Sequence, residues 1–289
     1  MNFVGKSRAR EYAKLDLSPI HAPYTPPLTT MVHLLRYWAN AVPNKVAFYL
    51  TDGESDDETK LTYAELDHAA RAVAVRILEK HPVGSRVLML YPPGTLDFIT
   101  GFFGCLYAGC IAVPAYPPRR NRKGARIQGI AEDCQAAVAL STHETANQIL
   151  RDESMRSETG TMELIGTDAI DRSIAIQFNE VPILDGDLAV LQYTSGSTGQ
   201  PKGVMLTHGN LIRNCEIIST LFGEHHTTIG CSWLPTYHDM GLIGGILAPI
   251  FFGATMVLLS PMTFLQRPVR WLRAISRYKA DTSGGPNFA

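Results

Sequence analysis

The sequence predicts an α/β protein built of layered parallel-sheet subdomains with helices on both faces. Three observations predict it. Short runs rich in Val, Ile, Leu and Ala alternate along the chain with segments of helical periodicity, the pattern of parallel βαβ units. Several of these runs are apolar throughout rather than at every second residue, as strands covered on both faces require. And 289 residues, 45% hydrophobic and 18% charged, suffice for about two core-bearing lobes without disulfide or metal support.

Composition excludes other classes. Lys+Arg 26 against Asp+Glu 27 leaves a net charge of -1, so nothing advertises a nucleic-acid partner or an acidic tail. The 24 glycines and 18 prolines follow no period, against fibrous or low-complexity readings. Cys105, Cys110, Cys134, Cys215 and Cys231 are odd in number and form no C-x-x-C pair. Reduced, buried thiols in a cytoplasmic protein are therefore expected. Met1-Asn2-Phe3 leads into Lys6, Arg8, Arg10 and Lys14 with no apolar stretch behind them, so no secretory signal is expected.

Residues 1–29, Pro-rich up to Pro27, read as an extended arm. Thr30 caps a helix over 31–40 with Leu34, Leu35 and Trp38 on one face. The acids Asp52, Glu54, Asp56, Asp57 and Glu58 read as a solvated turn between two strands. Thr62-Tyr63-Ala64-Glu65 is a capping box opening a helix over about 62–79, with Leu66, Ala70, Val73 and Ile77 at helical spacing. Strands follow at Arg86–Tyr91, Ile111–Pro114 and Ala136–Leu140, and helices at 95–108 and 143–151. Arg119, Arg120, Arg122, Lys123 and Arg126 read as a solvated loop, since no aromatics interleave with them. The polar stretch Asp152–Gly160 is the expected boundary between a first subdomain, 30–155, and a second, 156–289.

Residues 240–266 carry no charged side chain, long enough to span a bilayer. Gly244, Gly245, Pro249, Gly253 and Pro261 interrupt the run. A helix to about Phe251, a turn at Gly253 and a buried strand Ala254–Leu259 fit it better, and no membrane span is expected.

The strongest chemical signal follows the apolar strand Leu188–Tyr193. It is Thr194-Ser195-Gly196-Ser197-Thr198-Gly199-Gln200-Pro201-Lys202-Gly203. Glycines let backbone N–H groups approach a ligand, four hydroxyls add donors without bulk, and Lys202 adds one cation. Together they suit a polyphosphate. Gly203 after Lys202 excludes the Walker pattern, which needs Ser or Thr there. No G-x-S-x-G elbow is present.

A second constellation follows a strand at Gly230–Leu234: Pro235-Thr236-Tyr237-His238-Asp239-Met240-Gly241-Leu242. Polar groups at a strand's carboxyl end and a helix start occupy the edge where open α/β sheets bind ligands. Capping by Asp239 and core packing of His238 would be the structural alternative. His225, His226 and Cys231 match no zinc-ligand spacing, and no metal site is expected from them.

The string T-S-G-S-T-G-x-P-K-G resembles the phosphate-binding signature of the adenylate-forming superfamily of acyl-CoA synthetases, luciferases and peptide-synthetase adenylation domains. Met205–Leu211 is similar to the family segment that enters a helix, whose apolar face here would be Leu211, Cys215, Ile218 and Phe222. L-P-T-Y-H-D-M-G-L-I-G-G, with Leu88–Phe98, Phe103–Pro118 and Thr282–Ala289, resembles one branch, the fatty acyl-AMP ligases. The resemblance implies the N-terminal part of an adenylate-forming enzyme. It implies ATP and Mg²⁺ as cofactors, a fatty acid as substrate and an acyl carrier protein as acceptor. It places Thr194, Ser195, Gly196, Ser197, Thr198, Gly199 and Lys202 on the ATP phosphates and His238 and Asp239 at the reacting carboxylate. Met240, Gly284, Gly285 and Pro286 would line the substrate cleft.

Family members run to roughly twice this length, so the adenine, ribose and Mg²⁺ residues and the C-terminal lysine are expected beyond Ala289. On that reading these residues alone make no acyl-adenylate. A coenzyme A ligase of the same superfamily and a non-catalytic lipid- or partner-binding module are the alternatives.

Overall fold

The computed structural model describes residues 28–118, 125–194, 202–287 and 289. Residues 195–201 of the expected phosphate loop, residues 1–27 of the expected arm and all of the basic cluster except Arg126 lie outside them.

The strands, in chain order, are β1 (Val46–Thr51), β2 (Glu58–Thr62), β3 (Arg86–Leu90), β4 (Ile111–Ala115), β5 (Val138–Ser141), β6 (Glu163–Gly166), β7 (Leu188–Thr194), β8 (Lys202–Thr207), β9 (Ile229–Ser232), β10 (Thr255–Leu258) and β11 (Thr282–Ser283). They form a six-stranded sheet in the order β6-β5-β3-β4-β7-β8 and a five-stranded sheet in the order β11-β9-β10-β1-β2. Each is parallel apart from one edge strand, β8 against β7 and β2 against β1. The expected α/β class with layered, largely parallel sheets is what forms.

Local chemistry starts the helices where the sequence predicts. Thr30 accepts a bond from His33 N at 3.1 Å and opens the helix Met31–Ala41. Thr62 and Glu65 close both arms of the capping box that opens Tyr63–Leu78. Each arm satisfies a backbone donor that the first helical turn leaves free. The helices Tyr63–Leu78 and Asp97–Tyr107 share one core with Met31–Ala41 and both sheets, around Phe48, Leu66, Val73, Phe102, Phe103 and Leu106, all inaccessible to solvent.

The charge-free run 240–266 is apolar because it is packed inside the protein. It forms helical turns Asp239–Leu242, Ile243–Leu247 and Ala248–Phe252, ends at Gly253 in the left-handed conformation (φ 71°), and re-enters as β10. Ile246, Leu247, Ile250 and Val257 are fully buried. Among the described residues no helix is long and apolar enough to cross a membrane.

Four expectations change. Both sheets draw strands from both sides of residue 155, so 155/156 does not divide the chain by sheets: β6, β7 and β8 complete the first sheet, and β1 and β2 join the second. Pairing with distant strands buries more apolar surface than any local polarity minimum can signal. The polar stretch chosen as the boundary is a helix, Glu153–Thr159, capped by Asp152 and burying Met155. Phe222 is exposed and takes no part in the apolar face made by Leu211 and Cys215.

The acidic turn is not merely solvated. Glu54 accepts from Arg267 at 2.6 Å, Arg270 at 2.8 Å and Arg273 at 2.7 Å, all from the distant segment around the helix Val269–Tyr278. Arg277 reaches Ser55 O at 2.6 Å, and Tyr278 donates to Glu58. Two segments more than two hundred residues apart supply opposite charges, and sequence periodicity carries no trace of such a match.

Candidate functional site

Because β3, β4 and β7 run parallel, their carboxyl ends share one edge of the six-stranded sheet. The ends of β9, β10 and β11 share one edge of the other sheet. Contacts join these two edges. A Cβ on Gly94, after β3, would lie 2.3 Å from Ser260 Cβ, after β10. The ring of Tyr116, after β4, meets that of Tyr237, after β9, at 6.0 Å between centroids. Gln192 of β7 donates through Nε2 to Tyr237 O at 3.0 Å. The loop-bearing edges therefore face each other, and the crevice outside strand carboxyl ends is where such sheets take ligands.

The glycine-rich segment springs from this edge. Thr194 ends β7, Lys202 begins β8, and the two are paired across the antiparallel ladder. Both are exposed. Ser195, Gly196, Ser197, Thr198 and Gly199, the remaining expected phosphate ligands, lie outside the described residues.

Close contacts build the base of this strand pair. Tyr193 is buried and donates its hydroxyl to Asp133, and burial with that bond raises the phenol above its usual range. Its cross-strand partner is Gly203, where a Cβ would lie 3.0 Å from the tyrosine Cζ. Glycine follows Lys202 because the ring lies over that position. β8 then enters the helix His208–Phe222 through a second capping box: Asn210 N donates to Thr207 Oγ1 and Thr207 N to Asn210 Oδ1, both at 3.1 Å. His208 is buried just inside this helix, and burial pushes its imidazole down to about 4. The strand β8 and the capping box were not foreseen, although Thr-x-x-Asn at 207–210 is a legible cap.

His238, Asp239 and Met240 are all exposed, so His238 does not pack in the core. His238 occupies the N-cap position without a side-chain cap bond, and Asp239 Oδ1 accepts from Met240 N at 2.7 Å. The chain folds tightly behind them. His238 N donates to Pro235 O at 3.1 Å, and a Cβ on Gly241 would stand 2.1 Å from that same carbonyl oxygen.

β11 brings the remaining candidates to the turn. Its residues Thr282 and Ser283 pair with Gly230 and Cys231, so Gly284 follows immediately at the same edge. A Cβ on Gly284 would touch Met240 Cε at 3.8 Å, and one on Gly285 would approach Trp233 Cζ2 at 3.4 Å. Pro286 is half-buried, and its carbonyl accepts from Ala289 N at 3.0 Å. Met240 and Gly284 are thus neighbours. Among the described residues no hydrogen bond or ion pair links His238 or Asp239 to Thr194 or Lys202; the two constellations are joined through Gln192 and the main chain of Tyr237.

Gln192 and Tyr116 are site-edge residues that sequence reasoning missed. The available signal for Gln192 was one amide in an otherwise apolar strand.

Among the described residues no cluster of three or more His, Cys, Asp and Glu could hold a metal ion.

The sequence profile of the AMP-binding enzyme family matches residues 35–287. The medium-chain fatty acid acyl-carrier-protein ligase JamA of Moorena producens (strain JHB) is 40% identical over 91% of this chain and 45% of its own length. The long-chain fatty acid AMP ligase FadD32 of Mycolicibacterium smegmatis (strain ATCC 700084 / mc(2)155) is 35% identical over 94% of this chain and 45% of its own. The fatty acyl-adenylate ligase of L. pneumophila, solved in complex with acyl adenylate and pyrophosphate, superposes with a TM-score of 0.82 at 38% identity. That match covers 90% of this chain and 44% of the solved one. The chain therefore spans less than half the length of these three relatives.

Proposed function

The chain belongs to the AMP-binding enzyme family, and from this we propose that its protein activates a fatty acid with ATP. The products are an acyl-adenylate and pyrophosphate, and the acyl group then passes to an acyl carrier protein. The observation that carries the reading is the convergence of two sheet edges. One bears the hairpin closed by Thr194 and Lys202, the other the turn with His238 and Asp239, and Gln192 joins them. The names of JamA and FadD32, and the ligands of the L. pneumophila structure, support the same chemistry.

In this reaction a carboxylate oxygen forms a bond to the α-phosphorus. The bond from that phosphorus to the bridging oxygen breaks, and pyrophosphate leaves with the electron pair. Such a transfer depends on positioning and on neutralising spread charge. Thr194, Lys202 and the residues Ser195, Gly196, Ser197, Thr198 and Gly199 between them would grip the β- and γ-phosphates. His238 and Asp239, exposed at the turn, would meet the carboxylate where it approaches the α-phosphate. Met240 against Gly284, with Gly285 and Pro286 following, would border the acyl entrance. Ile246, Leu247 and Ile250 are packed in the core and would not themselves line that entrance.

Mg²⁺ would enter bound to ATP and neutralise phosphate charge, the usual way this ion reaches a nucleotide site. All five cysteines are buried and unpaired, which supports a reducing, cytoplasmic setting.

The test is ATP–pyrophosphate exchange by the intact protein across a fatty-acid series, with mass spectrometry of the products. Acyl-AMP that persists with coenzyme A and is consumed by carrier protein is the expected result. Formation of acyl-CoA would move the protein to the coenzyme A ligases. No exchange with any carboxylic acid would overturn the reading.

A further inference from the structure

Gln192 lies two residues before Thr194, on the strand that carries the glycine-rich loop. It is 8% exposed, in a strand whose residues Ala189 and Val190 are fully buried. An amide in such a place costs free energy unless both its ends are bonded. Only one end is. Nε2 donates to Tyr237 O at 3.0 Å, while Oε1 is buried and has no donor among the described residues.

Tyr237 immediately precedes His238, whose amide bonds back to Pro235 O and whose carbonyl accepts the helix bond from Leu242 N at 2.7 Å. The turn is therefore held from behind by Gly241 against Pro235, and from the side by Gln192. The side chains of His238, Asp239 and Met240 make no hydrogen bond to the other sheet among the described residues. The Gln192 amide, with the Tyr116–Tyr237 ring contact, sets the turn's place relative to the loop strand.

We propose that Gln192 is a positioning residue: its amide fixes the Tyr237–Met240 turn against β7, so that the carboxylate end of the site is held in register with the phosphate end. This rests on the proposed adenylation chemistry for its consequence, but the tether itself does not. Gln192 acts through a backbone carbonyl. Gln192→Leu would keep a similar volume and lose the bond. Gln192→Glu would donate to Tyr237 O only when protonated, and when ionised would set a negative charge against a carbonyl oxygen.

Two measurements on the intact protein test this, with the thermal unfolding midpoint checking that each variant folds. The first is amide hydrogen exchange without ligand. In Gln192→Leu the amides of residues 236–242 should exchange at least about tenfold faster, while those of β4 keep their protection. Unchanged exchange at 236–242 in both Gln192→Leu and Gln192→Glu overturns the tether, whether or not the protein is an enzyme.

The second is pyrophosphate exchange. Gln192→Leu should lower kcat by about 10- to 100-fold, as a small misplacement does, while KM for ATP stays within about threefold. Gln192→Glu should regain rate relative to wild type as pH falls, which a space-filling role would not produce. A wild-type kcat in Gln192→Leu overturns the catalytic consequence. An inactive wild type whose tether responds as expected overturns the adenylation reading and leaves the tether established.

Discussion

Thr194 and Lys202 face each other across the antiparallel pair β7–β8, the last residue of one strand and the first of the next. The strand pair they close is held by the Tyr193 ring over Gly203 and by the capping box at the end of β8.

In the intact protein, Lys202→Ala and Gly196→Val should each lower pyrophosphate exchange by about a hundredfold or more, as loss of a preorganised electrostatic contact does. Thermal unfolding of Lys202→Ala should stay near wild type, since Lys202 is exposed. Wild-type exchange rates in both variants would remove the phosphate assignment.

Gly241→Ala addresses the other end of the site. The new methyl would stand 2.1 Å from Pro235 O, a contact with main chain that no rotamer can relieve. Overpacking of this kind costs about 1–3 kcal/mol. A lower unfolding midpoint together with loss of activity is expected; a variant of unchanged stability would show that the turn relaxes freely.

His208 makes stability depend on pH. Its folded pKa of about 4 lies below the ordinary 6.5 because burial disfavours the charged ring. The neutral ring costs nothing extra above pH 6.5. As pH falls from there towards 4 the unfolded chain takes up a proton that the folded one refuses, so stability declines, by at most about 3 kcal/mol. Urea unfolding across this range should give a slope that His208→Gln reduces. Equal slopes in the two proteins would contradict the burial argument.

The Glu54 clasp gives an expectation of opposite origin. The bond from Arg270, with Arg267 and Arg273 close by, holds the Glu54 carboxyl below its usual range. Its contribution is therefore present above the ordinary carboxylate pKa and is lost as pH falls through the depressed folded value. Glu54→Gln should lower the melting temperature at low ionic strength, and high salt should shrink the difference. A salt-independent difference would point to packing instead of charge.

The thiols should be inert in the native protein. Burial pushes Cys110 to about 11 and Cys215 and Cys231 to about 12, so few thiolates exist near neutral pH. Iodoacetamide should label none of the five before denaturation and all of them after it. Rapid native labelling, read by mass spectrometry, would show that a buried segment opens.

Much of the fold was legible because short-range chemistry writes it. Thr30 and the Thr62–Glu65 pair mark helix starts through bonds spanning three residues. Strand and helix around Gly253 could be told apart because the glycine interrupts an apolar run. Polarity failed at Asp152–Gly160, where a well-capped, half-buried helix looks like a linker, and at Phe222, where apolar character did not mean burial.

The candidate site divides in the same way. The residue types of the glycine-rich loop and the His238-Asp239 pair were written in the chain, because their chemistry resides in adjacent residues. Gln192 and Tyr116 were not, because each acts on Tyr237, dozens of residues or more away.

By itself the sequence determined the α/β class, the helix caps and the apolar strands, all products of local pattern. Tertiary structure alone decided that strands from both halves share each sheet, that β8 turns back on β7, and that two carboxyl edges meet at the bond from Gln192 to Tyr237. Those outcomes follow from burial and register between distant segments, and a one-dimensional pattern does not encode which distant segment will supply the partner.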